Sequence, residues 1–236
     1  MTVSSFLPRQ AQVLHQLFGY RTEHERRDAE AARSATERFT IALSREAGTP
    51  ATEVAHAVGE RLGWPVYDRE LPACVAHKLH IPLSVVEEID ERGQNWLLEC
   101  IGAFASRPEL SEGRYFHCLL AVIRALGEQG RGVLVGHGAE YILPPRSTLR
   151  VRLIGEREDR ITAFSHCFHL DRRTAARKVE EINRERGRFI REHFHADPTK
   201  ARHYDLVLNT SQWSPADCAD FVVQALHHKA TGHLKG

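Results

Sequence analysis

Three features of the sequence predict an α/β fold, a doubly wound parallel sheet of five strands with helices on both faces. From Phe39 onward, short apolar runs alternate with helix-like segments, the order that builds parallel sheets. The first run, FTIAL (Phe39 to Leu43), reads as a continuous apolar strand, as expected of a central strand buried on both faces. It then passes through a short turn of small residues into an amphipathic helix that keeps Val54, Val58 and Leu62 on one face.

The remaining elements follow in order. Gly63 stands where a C-cap glycine belongs, and PVYD (Pro65 to Asp68) makes a second strand. Residues 70–130 read as helical, interrupted by Pro72, Pro82 and Pro108, and the clearest helix among them runs from Tyr115 to Gly130. GVLVG (Gly132 to Gly136) is the third strand, LRVRLIG (Leu149 to Gly155) the fourth and YDLVLNTS (Tyr204 to Ser211) the fifth. A final helix runs from Pro215, near its N1 position, to about His228. Residues 1–38 form a polar extension in which Leu14, Leu17 and Phe18 offer one short apolar face. The expected division is therefore an extension over 1–38, a main domain over 39–228 and a tail over 229–236.

Composition narrows the function classes. The chain has 236 residues, 42% hydrophobic and 27% charged, with a formal net charge of +1. That balance weighs against a dedicated nucleic-acid binder, which carries a basic excess. Five scattered cysteines without a C-x-x-C pair read as reduced thiols. No apolar run approaches the roughly 20 residues of a spanning helix, and the first residues show no signal-peptide pattern. A cytoplasmic protein is expected.

In a doubly wound sheet, ligands bind at the carboxyl ends of the strands. This gathers Ser44 to Thr52, Asp68 and Gly136 to Tyr141 around one cleft. REAGTPAT (Arg45 to Thr52) has the placement of a phosphate-binding loop, yet matches G-x-x-x-x-G-K-[ST] only at Thr52. Arg45 and Pro50 replace the glycines, and Ala51 replaces the lysine.

Four stretches together resemble the cytidylate kinase-like family of P-loop proteins, relatives of nucleoside-monophosphate kinases. They are FTIALSREAGTPA, GWPVYDREL, VLVGHGAEYIL and YDLVLNTS, in that order, and the resemblance spans roughly residues 39–226. It implies a phosphotransferase that moves the γ-phosphoryl group of ATP, with Mg2+, to a CMP-like acceptor. Its partners would be a nucleoside triphosphate and a nucleoside monophosphate. Loops of this family lack the ordinary lysine and carry Ser-Arg-Glu, kept here as Ser44, Arg45 and Glu46. By this resemblance Ser44, Gly48, Thr49, Ala51 and Thr52 hold the donor nucleotide, and the Thr52 hydroxyl faces the metal. Asp68, Gly136 and His137 face the acceptor, Asp68 lying near it or near the magnesium shell, and Arg45, Arg160 and Arg186 stabilise the transferring charge. For Asp68 a helix N-cap is an equal alternative.

The chain also departs from the family. Pro50 lacks a backbone N–H that would cradle phosphate, although positions 51–53 still offer amides at a helix N-terminus. His137 stands where the family has arginine, and Asn183 where it has aspartate. Residues 155–205 carry a dense set of arginines that the resemblance assigns to a helical, mobile lid; without it, alternating Arg and Glu make a solvated face. The histidines at 166, 169, 193 and 195 raise a zinc reading, but no carboxylate or cysteine accompanies them at structural-zinc spacing. Nucleic-acid binding through the lid lacks stacking aromatics in a recognised module. Two functional classes remain: the kinase, and a catalytically impaired nucleotide sensor or interaction protein on the same fold, to which Pro50, Ala51, His137 and Asn183 point.

Overall fold

The computed structural model describes residues 36–68 and 112–232. The proline-interrupted region before the Tyr115 helix and most of the N-terminal extension lie outside the described residues.

Strand β1 (Thr40–Arg45) runs into helix α1 (Ala51–Leu62), followed by β2 (Val66–Tyr67), α2 (Glu112–Gln129) and β3 (Gly132–Val135). A four-residue helix α3 (Ala139–Ile142) precedes β4 (Thr148–Ile154). The helical pair α4 (Arg157–Phe168) and α5 (Arg172–Phe194) leads to β5 (Leu206–Asn209) and α6 (Pro215–Ala230). The five strands form one sheet in the order β2-β3-β1-β4-β5, and every pairing is parallel. The predicted class and strand count are those observed; strand ends differ by one or two residues, and β1 continues to Arg45 rather than stopping at Leu43.

Alternation along β1 divides the core in two. Ile41 and Leu43 face α1 and α6 with Val54, Val58, Val151 and Leu226, whereas Ala42 faces α2, α3 and α5 with Ile123, Leu134, Phe189 and Ile190. Both sets are buried, so β1 is the central strand that its apolar run implied. Gly63, in the left-handed conformation at φ 65°, closes α1 and donates back to Gly59 and Glu60. Ser214 and Asp217 make a reciprocal capping box at the start of α6, with Pro215 inside it.

A third cluster joins the helical pair to the loop after β1. Ala47 packs against Ile161 and Phe164 of α4 and Ala175, Val179 and Ile182 of α5. Farther along α5, Phe189 and Ile190 belong to the main core. The arginine-rich helix is thus seated on the sheet by its apolar stripe and lies across the carboxyl ends of the strands. His169 and His195 close α4 and α5 in left-handed C-cap positions, φ 50° and 51°. No group of three or more His, Cys, Asp or Glu among the described residues could hold a metal ion. No described helix is long and apolar enough to cross a membrane.

Candidate functional site

β1 ends in Ser44 and Arg45, and the backbone there turns under α4. Gly48 has φ +85°, and a Cβ at that position would lie 2.3 Å from the Arg160 carbonyl oxygen. Only glycine combines this conformation with such an approach. Asn183 Oδ1 accepts the Ala47 amide at 2.7 Å. The residue that replaces the family's aspartate therefore anchors the loop to α5. Thr49 folds back on Glu46, its amide and hydroxyl both donating to the Glu46 carbonyl.

The Ala51 amide donates to the Thr49 carbonyl at 2.8 Å. Of the amides expected at positions 51–53, the first is thus turned into the loop itself, because the Pro50 ring fixes the turn ahead of α1. Pro50 occupies the N-cap without a side-chain cap. The amides of Thr52 and Glu53 stay in the first helical turn, where no intrahelical acceptor reaches them.

Asp68, just past β2, bridges two of the expected residues. Its Oδ1 accepts from Arg45 at 3.0 Å and its Oδ2 accepts from the Thr52 hydroxyl at 3.0 Å. Asp68 thus joins the loop; the helix that it would cap lies outside the described residues. A hydroxyl and a carboxylate side by side at a helix start are hard oxygen donors, the set that Mg2+ takes alongside phosphate oxygens and water.

The third strand delivers a glycine-flanked turn. Gly136, His137 and Gly138 all have positive φ, 82°, 61° and 73°. A Cβ on Gly136 would lie 2.9 Å from an Arg45 guanidinium nitrogen, and one on Gly138 would lie 2.5 Å from the Phe194 ring. The turn therefore leaves room for both side chains. His137 is buried, with Nε2 3.2 Å from the Asp68 carbonyl oxygen. Burial, then the neighbouring Arg45, lower its pKa to about 3, so the imidazole is neutral at ordinary pH.

Between this turn, the end of β1 and α5 lies a cavity of about 210 Å³. Ser44, Arg45, Gly136 and His137 line it together with Arg186, and so do Glu140 and Arg152. Gly48, Thr49, Ala51, Thr52, Asp68 and Arg160 do not. Arg160 instead lies 3.2 Å from Glu46 in an ion pair and donates to the carbonyls of Gly155 and Ala47, which fastens α4 to the loop. Several other arginines of the helical pair make surface ion pairs: Arg157 with Glu180, Arg172 with Glu158 and Arg188 with Glu192. These form the solvated face that alternating charge allows.

Arg186 differs from them. Its side chain reaches the Arg45 carbonyl at 3.4 Å, and among the described residues no carboxylate makes an ion pair with it. Burial, then the charge of Arg45, lower its pKa to about 9.

Arg152 was not singled out in the sequence. It donates to Ser44 Oγ at 2.8 Å and lies over the Tyr204 ring at 5.5 Å. Its signal was available in LRVRLI: Leu149, Val151 and Leu153 are fully buried, so arginines alternate with core residues on a strand interior to the sheet. Glu140, also missed, is buried at the start of α3.

The sequence profile of the cytidylate kinase-like family matches residues 40–212. No curated protein matches the chain. A solved structure of an uncharacterized protein from Eubacterium ventriosum ATCC 27560 is similar, with 19% identity and a TM-score of 0.61 over 80% of this chain and 98% of that one. A gluconokinase from Sinorhizobium meliloti 1021 is similar with 13% identity and a TM-score of 0.50, covering 84% of this chain and 96% of that one. A shikimate kinase from Acinetobacter baumannii in complex with shikimate gives 15% identity and a TM-score of 0.48, over 81% and 95%. The parallel sheet, the loop after β1 and the family profile agree, and the chain belongs to the cytidylate kinase-like family.

Proposed function

We propose that the protein is a kinase-type phosphotransferase that moves the γ-phosphoryl group of ATP to a CMP-like acceptor. The observation that carries this reading is the convergence of Arg45, Arg152 and Arg186 on one cavity at the carboxyl end of the sheet. Phosphoryl transfer requires fixed positive charge around the migrating group more than covalent chemistry. Arg186 is a half-buried cation that pairs with no carboxylate among the described residues, so an anion entering the cavity would supply the missing partner. Arg45 lies between the cavity and the Thr52–Asp68 pair, within reach of both donor and acceptor groups.

The donor phosphates would rest on the amides of Thr52 and Glu53 and the loop from Gly48, with the acceptor in the arginine cavity beside Gly136 and His137. Thr52 and Asp68 would hold Mg2+, which when bound neutralises phosphate charge. Arg160 would act through Glu46 and the loop backbone, as a positioning residue. A cytoplasmic setting, expected from the scattered thiols, belongs to the same reading.

The second reading, nucleotide binding without transfer, is favoured by one observation. The loop uses part of its own backbone donor set, at Ala51 and Thr49. Calorimetric titration with ATP and then CMP, with and without Mg2+, followed by product detection, separates the two. Product that disappears in Arg45→Ala and Arg186→Ala proteins supports the kinase. Binding of ATP without product supports the sensor, and absence of nucleotide binding overturns both.

A further inference from the structure

Glu140 has no part in the reading above, yet it lines the same cavity. It is 6% exposed, and its Oε2 has no hydrogen-bond partner among the described residues. Ser44 Oγ, which accepts from Arg152 at 2.8 Å, and Arg152 itself line the cavity together with Glu140, and one carboxyl oxygen of Glu140 stays unmatched among the described residues. A buried carboxyl group with an unmatched oxygen is costly unless a ligand satisfies it. Against an anion, an ionised carboxylate would repel, whereas a protonated one has a hydrogen to donate.

We propose that Glu140 is a specificity-determining residue that, in its protonated form, donates the Oε2 hydrogen to a dianionic group held by Arg45, Arg152 and Arg186. This rests on the phosphotransferase reading and deepens it: the acceptor presents a dianionic oxygen cluster, of phosphate type, to this end of the cavity. The surplus of guanidinium charge then favours a dianionic occupant over a monoanionic or cationic one, and neutral Glu140 takes none of that charge away. Binding carries a proton into the complex whenever free Glu140 is ionised.

The groups facing Glu140 agree with this arrangement. Burial is the largest influence and raises its pKa, and Ser44, Arg152 and Arg45 oppose that rise. From β3, His137 is neutral through the accessible range. From α5, Arg186 stays charged through this range although burial and Arg45 lower its pKa, and Glu185, which also lines the cavity, has a pKa raised by burial and by Glu181. Tyr141 and Tyr204 meet through their hydroxyls; burial pushes the Tyr141 hydroxyl upward, and Tyr204 donates its own hydrogen to the Pro198 carbonyl.

Sulfate is the probe, because it stays dianionic throughout and only the protein titrates. Its affinity for the full chain is measured by calorimetry between about pH 5.5 and 8 at constant ionic strength. Above the pH at which free Glu140 ionises, affinity should fall by up to about tenfold per pH unit in the unsubstituted protein. In Glu140→Gln, whose amide donates without titrating, sulfate should still bind, with a flat pH profile. A flat profile in the unsubstituted protein, or the same slope in Glu140→Gln, overturns the role of Glu140 while leaving the kinase reading intact. No sulfate binding at any pH overturns the anion cavity itself, and with it the acceptor half of that reading. Circular dichroism on Glu140→Gln checks that it folds.

Discussion

Between Glu46 and Ala51 the polypeptide turns its polar groups on itself: Thr49 onto Glu46, Ala51 onto Thr49 and Ala47 onto Asn183. Across the same cleft, Arg186 and the Glu140 carboxyl keep capacity that nothing described in the protein uses. One half of the site is internally satisfied and packed under α4; the other is charged and incompletely matched. Satisfied groups hold a shape, while unmatched buried ones favour a ligand. Ligand selection is therefore expected at the charged half, with the loop serving chiefly as a rigid edge.

The largest effect expected from breaking this asymmetry is at Arg186. Arg186→Met should lower phosphoryl-transfer turnover by about 10²- to 10³-fold, the range for removing a charge-stabilising donor. The same protein should be about as stable as the parent in urea unfolding, because a half-buried guanidinium that no described carboxylate pairs is replaced by an apolar side chain. A stability loss matching the loss of turnover would make Arg186 a structural residue and end the contrast.

Next in size is Gly48, on the packed side. Gly48→Ala forces a Cβ into the Arg160 carbonyl at positive φ, and destabilisation of about 2–3 kcal/mol is expected from backbone strain and overlap. Thermal unfolding measures it. An unchanged melting temperature would mean that α4 does not bear on the loop as closely as the structure has it.

His137 gives an effect that depends on pH and is small near neutrality. Its folded pKa of about 3 lies below the ordinary value of 6.5, so between those limits the unfolded chain binds the extra proton. Stability should therefore be complete above about pH 6.5 and fall by up to about 1.4 kcal/mol per unit as pH drops toward 3. His137→Asn should remove that share of the slope in unfolding measured at several pH values. Asparagine suits the left-handed backbone at this position. Equal slopes in the two proteins would place the proton elsewhere.

Much of this contrast was legible in the sequence, because strands and their buried faces are written in local patterns. FTIAL, GVLV and LRVRLI announce β1, β3 and β4 through apolar runs, and Gly63 and Pro215 mark helix ends through their own backbone limits. The loop was also visible, including the donor that Pro50 removes. What could not be read was partnership. Asn183 contacts the Ala47 amide 136 residues away, and no local pattern records which long helix face crosses which strand end. For the same reason the arginine-rich segment could not be sorted into surface ion pairs and cavity cations until α5 was seated by Phe189 and Ile190. Glu140 escaped because a single carboxylate in AEYIL looks like a surface residue, and its burial arises from the turn of three positive-φ residues preceding it.

The smallest expected effect tests whether the loop's closure limits donor binding. Pro50→Gly adds one backbone N–H and frees the turn, so the Ala51 amide can leave the Thr49 carbonyl and face a phosphate oxygen. One added hydrogen bond contributes about 1 kcal/mol, or roughly fivefold in ATP affinity. The flexibility that glycine gives the unfolded chain separately lowers stability by about 0.4–1 kcal/mol. Calorimetry with ATP and Mg2+ on both proteins reads the first quantity and urea unfolding the second. Tighter ATP binding with unchanged sulfate affinity would show that the two halves of the cleft are set independently, the donor side by backbone donors and the acceptor side by arginine charge. If sulfate affinity moved with ATP affinity, Pro50 would instead be shaping both halves through Arg45, which reaches from the loop to the cavity.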